Sequence, residues 1–172
     1  LAEDPCQDLW YARNLIFDRA GFCFDSTLGK AIFDNSDCTT RTPEFSPEDS
    51  LRLARIEAIE DRGACAVNTA TTLLDLPDLP LRKRIDPPPV LDPQVPGWGC
   101  VGWTGGAGTL HIGQSPNTLI SGQVQAGDTI TSRYLPEQGW SFLTVERPST
   151  GQRFVGWSKL EVPDTLCESR LD

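Results

Sequence analysis

The first third of the chain places apolar residues at three- and four-residue steps, and the last part alternates them with polar ones. The first spacing lines one face of a helix, the second one face of a strand. Leu9, Trp10, Ile16, Phe17 and Ala20 make a helical stripe, with Asp8, Asn14 and Asp18 off it. Asp4 caps this helix, Pro5 takes its first turn and Gly21 ends it. A shorter helix, capped at Asp25 or Ser26, carries Leu28, Ile32 and Phe33 and stops near Asn35. A third opens at Ser46-Pro47-Glu48-Asp49, with both acids at the positive end of the helix dipole. Leu53, Ile56 and Ile59 mark its apolar side, and Gly63 closes it.

Toward the end, glycine, threonine and tryptophan replace the helix formers. Trp140 to Val145 reads as a strand, Pro148 to Gly151 as a turn and Arg153 to Trp157 as the returning strand. Leu110-His111-Ile112 and Thr129 to Leu135 are further short strands, and strands this short predict a small barrel. Between the two regions, residues 68–97 hold seven of the chain's 14 prolines, which makes this an extended, stiff connector of polyproline character. Its Leu73, Leu74, Leu76, Leu79, Leu81 and Ile85 are too apolar for a free tether, so part of it lies against a domain. Arg82-Lys83-Arg84 reads as solvated connector. The expected organisation is α+β: a helical domain over 1–67, the connector over 68–97 and an all-β barrel over 98–172.

Composition adds a compartment. Cys6, Cys23, Cys38 and Cys65 precede the proline-rich stretch, and Cys100 and Cys167 follow it. No two stand in the close C-x-x-C spacing of metal or redox centres, so structural disulfides formed in an oxidising compartment are expected. If the three helices run up, down and up, the pairs are Cys6–Cys38 and Cys23–Cys65, with Cys100–Cys167 in the second domain. The alternative in the first domain is Cys6–Cys65 with Cys23–Cys38. A mature chain whose signal peptide has been removed would open as this one does at Leu1, without an initiator methionine, so a location in the periplasm or outside the cell is expected. No apolar run approaches the ~20 residues that span a bilayer. A net charge of −9 argues against nucleic acid or an anionic membrane surface as partner. Residues 1–66, with 13 acids against 7 bases, are the acidic part, which solubility explains.

Leu110-His111-Ile112-Gly113-Gln114-Ser115-Pro116 resembles the opening of bacterial Src-homology-3-like domains, departing from it at Gly113. Gly127-Asp128 resembles their glycine-aspartate turn, Gly139-Trp140 the start of their central hairpin, and Gly156-Trp157 through Leu160 their closing strand. This resemblance implies a small barrel that binds, often to cell-wall peptide or carbohydrate, and does no chemistry. The segment Leu9 to Asn14, with Gly21 to Phe24 and Phe33-Asp34-Asn35, is similar to the YARHG-type domain of secreted bacterial proteins. Asn14 and Leu15 stand where that name has histidine and glycine.

Catalytic equipment is sparse. The one histidine, His111, lies between Leu110 and Ile112 in a predicted strand, so its side chain is expected to face away from theirs. Gly105-Gly106-Ala107-Gly108 is followed by neither the lysine-serine or lysine-threonine pair nor the helix of a phosphate loop and reads as flexible. Glu57 with Asp61, and Asp34 with Asp37, are solvated acids; the Asp34–Asp37 turn lacks the glycine and distal glutamate of a calcium loop. We therefore expect no catalytic residue, no metal site and no cofactor. Tryptophan is the stronger signal. Trp140 and Trp157 sit where packing explains them, which leaves Trp98 and Trp103 as the expected binding residues. The reading is an exported, non-enzymatic protein of the bacterial envelope that binds a protein or cell-wall component. An accessory subunit of a larger periplasmic or membrane-attached assembly, or a hydrolase using Asp/Glu chemistry, are the alternatives.

Overall fold

The Asp4 carboxylate accepts the Cys6 amide at 2.9 Å and starts α1, Pro5–Arg19. The computed structural model describes residues 4–171 and divides into two compact units, one ending at Pro77 and one beginning at Asp78. In the first unit α2 spans Thr27–Ile32 behind an Ser26 cap, and α3 spans Pro47–Arg62, where the Ser46 hydroxyl accepts the Asp49 amide at 3.1 Å. Leu9, Leu15 and Ile16 of α1 are buried, as are Leu53, Ile56 and Ile59 of α3, and the helices pack along these stripes. Arg13 of α1 pairs with Glu60 of α3 at 2.9 Å. Asp8 and Asn14, expected off the apolar stripe, are buried as well. Asn14 is accommodated because its side-chain amide donates to the Trp10 carbonyl at 2.8 Å.

The expected pairs Cys6–Cys38 and Cys23–Cys65 are overturned. The bridges are Cys6–Cys65 and Cys23–Cys38, with Cys100–Cys167 as expected. The reason is length. At 1.5 Å per residue the six residues of α2 rise only about 9 Å, too little to cross the bundle that the 15-residue α1 defines. The chain instead folds residues 22–40 into a closed loop. Phe22 bridges Thr40, the Cys23 amide donates to Thr40 O at 2.9 Å, and Thr39 and Thr40 donate to Gly21 O. Cys23 and Cys38 meet at the neck of that loop. With no full crossing between them, α1 and α3 run antiparallel, and the start of one lies beside the end of the other, where Cys6 and Cys65 join.

Inside the loop Asn35 imitates a strand partner, accepting from the Phe24 amide at 3.0 Å and donating to its carbonyl at 2.8 Å. Phe33 stacks between Tyr11 and Phe24, with ring centres 5.8 and 4.9 Å away. Edge contacts carry the aromatic run on through Phe22 and Phe17 to Phe45.

The second unit is one antiparallel sheet in the order β3-β2-β6-β5-β4-β1-β7. Its strands are β1 Trp98–Trp103, β2 Gly108–His111, β3 Ile120–Val124, β4 Thr129–Ser132, β5 Ser141–Arg147, β6 Gln152–Ser158 and β7 Cys167–Leu171. Among the described residues no pairing joins β3 to β7, so the sheet is open. Alternation sends Phe142, Val155 and Trp157 to one face and Leu143 and Val145 to the other, and each set belongs to its own buried cluster. Cys100–Cys167 fastens edge strand β7 to β1.

Much of the proline-rich stretch belongs to this unit. After the short helix α4, Leu79–Arg82, residues Ile85, Val90 and Leu91 are buried, Ile85 and Leu91 in the cluster of Phe142 and Trp157. The Trp157 indole donates to Pro87 O at 2.9 Å, Asp86 N–H to Ile112 O at 2.8 Å and Leu135 N–H to Val90 O at 2.9 Å. Arg82, expected in solvent, is buried, with its guanidinium 5.5 Å from the Tyr134 ring centre and 3.8 Å from the Asp78 carboxylate.

Removal of each bridge in the first unit should cost stability in proportion to the logarithm of the loop it closes. For separations of 59 and 15 residues, chain entropy puts the losses at about 4 kcal/mol for Cys6→Ser with Cys65→Ser and about 3 kcal/mol for Cys23→Ser with Cys38→Ser. Denaturant melts of the two double variants, with peptide mapping of the unreduced parent, test both order and pairing.

Candidate functional site

A groove crosses the second unit where β2, the end of β6 and the segment after it meet. One end is a cavity of about 290 Å³ lined by Thr109, His111, Pro116, Trp140, Lys159 and Leu160. The other is a wider hollow of about 500 Å³ bounded by Trp98, Ser141, Glu161, Val162, Pro163 and Arg170. Ser158, Lys159 and Leu160 line both, so the two hollows adjoin.

Each end carries a tryptophan beside a cation. Trp140 is set by a two-residue hairpin turn in which Gln138 and Gly139 both have left-handed backbone, with φ of 51° and 78°. Glu137 and Trp140 exchange backbone bonds across it at 2.9 and 2.8 Å. The Lys159 ammonium lies 5.2 Å from the Trp140 ring centre, and His111 meets the same ring edge-on at 5.8 Å. At the other end the Arg170 guanidinium lies 5.4 Å from the Trp98 ring centre and pairs with Asp164 at 3.0 Å. Attraction between a cation and an aromatic face holds both pairs in place.

The two expected binding residues part company. Trp98 is half-buried and lines the wider hollow. Trp103, expected on an exposed glycine-rich extension, is only 2 % exposed and belongs to the core of Leu143 and Val145. Its indole donates to Gly106 O at 2.9 Å, and a Cβ on Gly105 would come within 2.1 Å of the ring. The glycines of 105–106 are thus the lid of Trp103. His111 was expected to face away from Leu110 and Ile112, but the β2–β3 register shifts between Leu110 and His111. That irregularity sends Leu110 to one cluster and Ile112 to the other, so simple alternation fails there. His111 Nδ1 lies 3.2 Å from Thr118 O. The sequence reading missed Lys159, Leu160 and Arg170. One signal was available: Lys159 is the single lysine of residues 98–172 and stands two residues past the expected strand Arg153 to Trp157.

The remaining candidates are structural. The Asp128 carboxylate, buried in the β3–β4 turn, accepts from Gln125 N–H at 2.8 Å and from Nε and Nη2 of Arg147 at 2.9 Å each. That bond keeps the Arg147 guanidinium charged beyond the usual arginine range. The Ser36 hydroxyl, and then its amide, hold Asp34 below the usual aspartate range. A bond from Arg41 does the same for Asp25. Among the described residues no group of three or more His, Cys, Asp or Glu side chains is placed to hold a metal, and all six cysteines are paired.

The fold and groove together define a two-part class, a disulfide-tied helical unit followed by an open antiparallel sheet with an aromatic, partly cationic groove. Residues 64–171 match the family described as a domain of unknown function, DUF4453, and the chain belongs to that family. Residues 1–61 match the YARHG domain. No curated protein and no solved structure matches the chain. The disulfides and the YARHG match are consistent with secretion, and no described helix is long and apolar enough to cross a membrane.

Trp103→Ala should act on folding. We expect a loss of about 3–5 kcal/mol, the usual range for truncating a buried tryptophan, read by denaturant melts. Gly105→Ala should destabilise in the same direction. Acid should loosen residues 22–41 of the first unit. The depressed Asp25 and Asp34 values mean that their contacts stabilise above the ordinary aspartate pKa and are lost as pH falls through the lowered ones. Protection of the Ser36 amide, taken relative to the intrinsic exchange rate at each pH, should therefore fall on acidification before protection in α1 does.

Proposed function

We propose that this protein is an exported, non-enzymatic binding protein of the bacterial envelope, working in the periplasm or outside the cell, and that the groove of the second unit is its binding site. The observation that carries the reading is the pair of adjoining hollows, each beside a tryptophan–cation pair, Trp98 with Arg170 and Trp140 with Lys159. Aromatic walls with a few polar groups are how small pockets hold ligands. The oxidising environment that disulfides require supports export. A Src-homology-3-like reading of the strands up to Leu160 is supported by the Gly127-Asp128 turn and the Gln138-Gly139 hairpin, and it too favours binding over chemistry. The ligand is an envelope protein or a cell-wall component, bound without metal or cofactor.

Thr109 lines the narrow cavity from β2, and an indole at this position would fill it. Immobilised protein should capture a defined component from solubilised envelope, and the Thr109→Trp variant, with an unchanged circular dichroism spectrum, should not. Equal capture by both proteins would remove the groove from consideration.

A further inference from the structure

Groove residues differ in what they leave available to a ligand. The Ser158 hydroxyl is turned inward, donating to Thr109 O at 2.9 Å and accepting Leu160 N–H at 3.1 Å. His111 Nδ1 is occupied by the Thr118 carbonyl. At the narrow end this leaves the apolar walls of Pro116, Trp140 and Leu160, the Thr109 side chain and the other ring nitrogen of His111 as polar groups, and one cation at the rim, Lys159. A polyhydroxylated sugar ring needs donors and acceptors around its edge, and these walls provide few. A side chain of leucine or phenylalanine size fits a cavity of about 290 Å³ without them. Charge points the same way. The chain carries a net −9, yet the single lysine of residues 98–172 stands at this rim. At the wider end Arg170 is already paired with Asp164 and Glu161 borders the hollow, which leaves Lys159 to meet a carboxylate.

Resting on the groove as binding site, we propose that its ligand is an acidic, apolar peptide segment. An apolar side chain enters the cavity against Trp140 and Leu160, and a neighbouring carboxylate of the same segment pairs with Lys159.

The test titrates the full chain, by calorimetry and tryptophan fluorescence, with three probes: a short peptide alternating leucine and glutamate, its leucine–glutamine twin, and a neutral oligomer of N-acetylglucosamine. The glutamate peptide should bind roughly five-fold more tightly than its twin, the effect of one exposed ion pair near 1 kcal/mol. Added salt should narrow that gap. Lys159→Gln, at an exposed position and checked for an unchanged denaturant melt, should abolish it, and Thr109→Trp should abolish binding of both peptides. Equal affinity for the twin, a preference that survives Lys159→Gln, or binding of the sugar in place of the peptides would overturn the proposal. If neither peptide binds while Thr109→Trp still loses envelope capture, the groove stands and the peptide assignment falls. If Thr109→Trp captures as before, both fall.

Discussion

An open sheet with apolar side chains on both faces has to be covered twice, and the second unit is arranged around that requirement. On one face Leu143 and Val145 are covered by Trp103, Leu110, Val124 and Ile130, with Leu160, Val162 and Leu166 packed against them. On the other, Phe142, Val155 and Trp157 would meet water if Ile85 and Leu91 did not lie over them. Proline suits a covering segment of this kind. It has no amide hydrogen to leave unsatisfied on the outside, while its carbonyl still accepts, as that of Pro87 does from the Trp157 indole. Residues 78–97 are therefore part of the folding unit, in keeping with a family match that begins well before the first strand.

The YARHG match also acquires a physical meaning. Tyr11 and Ala12 are fully buried, Tyr11 stacked on Phe33, and Arg13 reaches across to Glu60. Asn14, standing where the name has histidine, is buried and bonded to its own helix. In this chain those positions hold α1 to the Cys23–Cys38 loop and to α3. They are a folding signature, and the groove lies on other residues.

Sequence legibility followed the range of the interactions. Helix ends were legible because capping is local: Asp4, Ser26 and Ser46 all act within three residues. The hairpin of β5 and β6 was legible because alternation and turn chemistry agree there. The disulfide pairing was not, since it depends on whether α2 crosses the bundle, and periodicity does not measure length against a tertiary distance. Strand β1 was missed because Gly99 and Gly102 lower its strand propensity, and with it went the burial of Trp103. His111 was misplaced by one irregularity in register. The groove was hardest to read: Trp98, Thr109, Trp140, Lys159 and Arg170 come from five separate stretches and share no spacing.

The placement of the bridges also decides how the chain would bear a pull. Cys6–Cys65 and Cys100–Cys167 each act as a covalent shortcut. Tension applied between Cys6 and Cys167 bypasses α1, α3 and the strands from β2 to β6, which stay unloaded while the bridges are intact. All the slack such a pull can release lies in residues 66–99, about 115 Å when fully drawn out. The covering segment over Trp157 lies within that length. A stretched molecule would therefore uncover one face of its sheet while both disulfide-closed parts kept their connectivity.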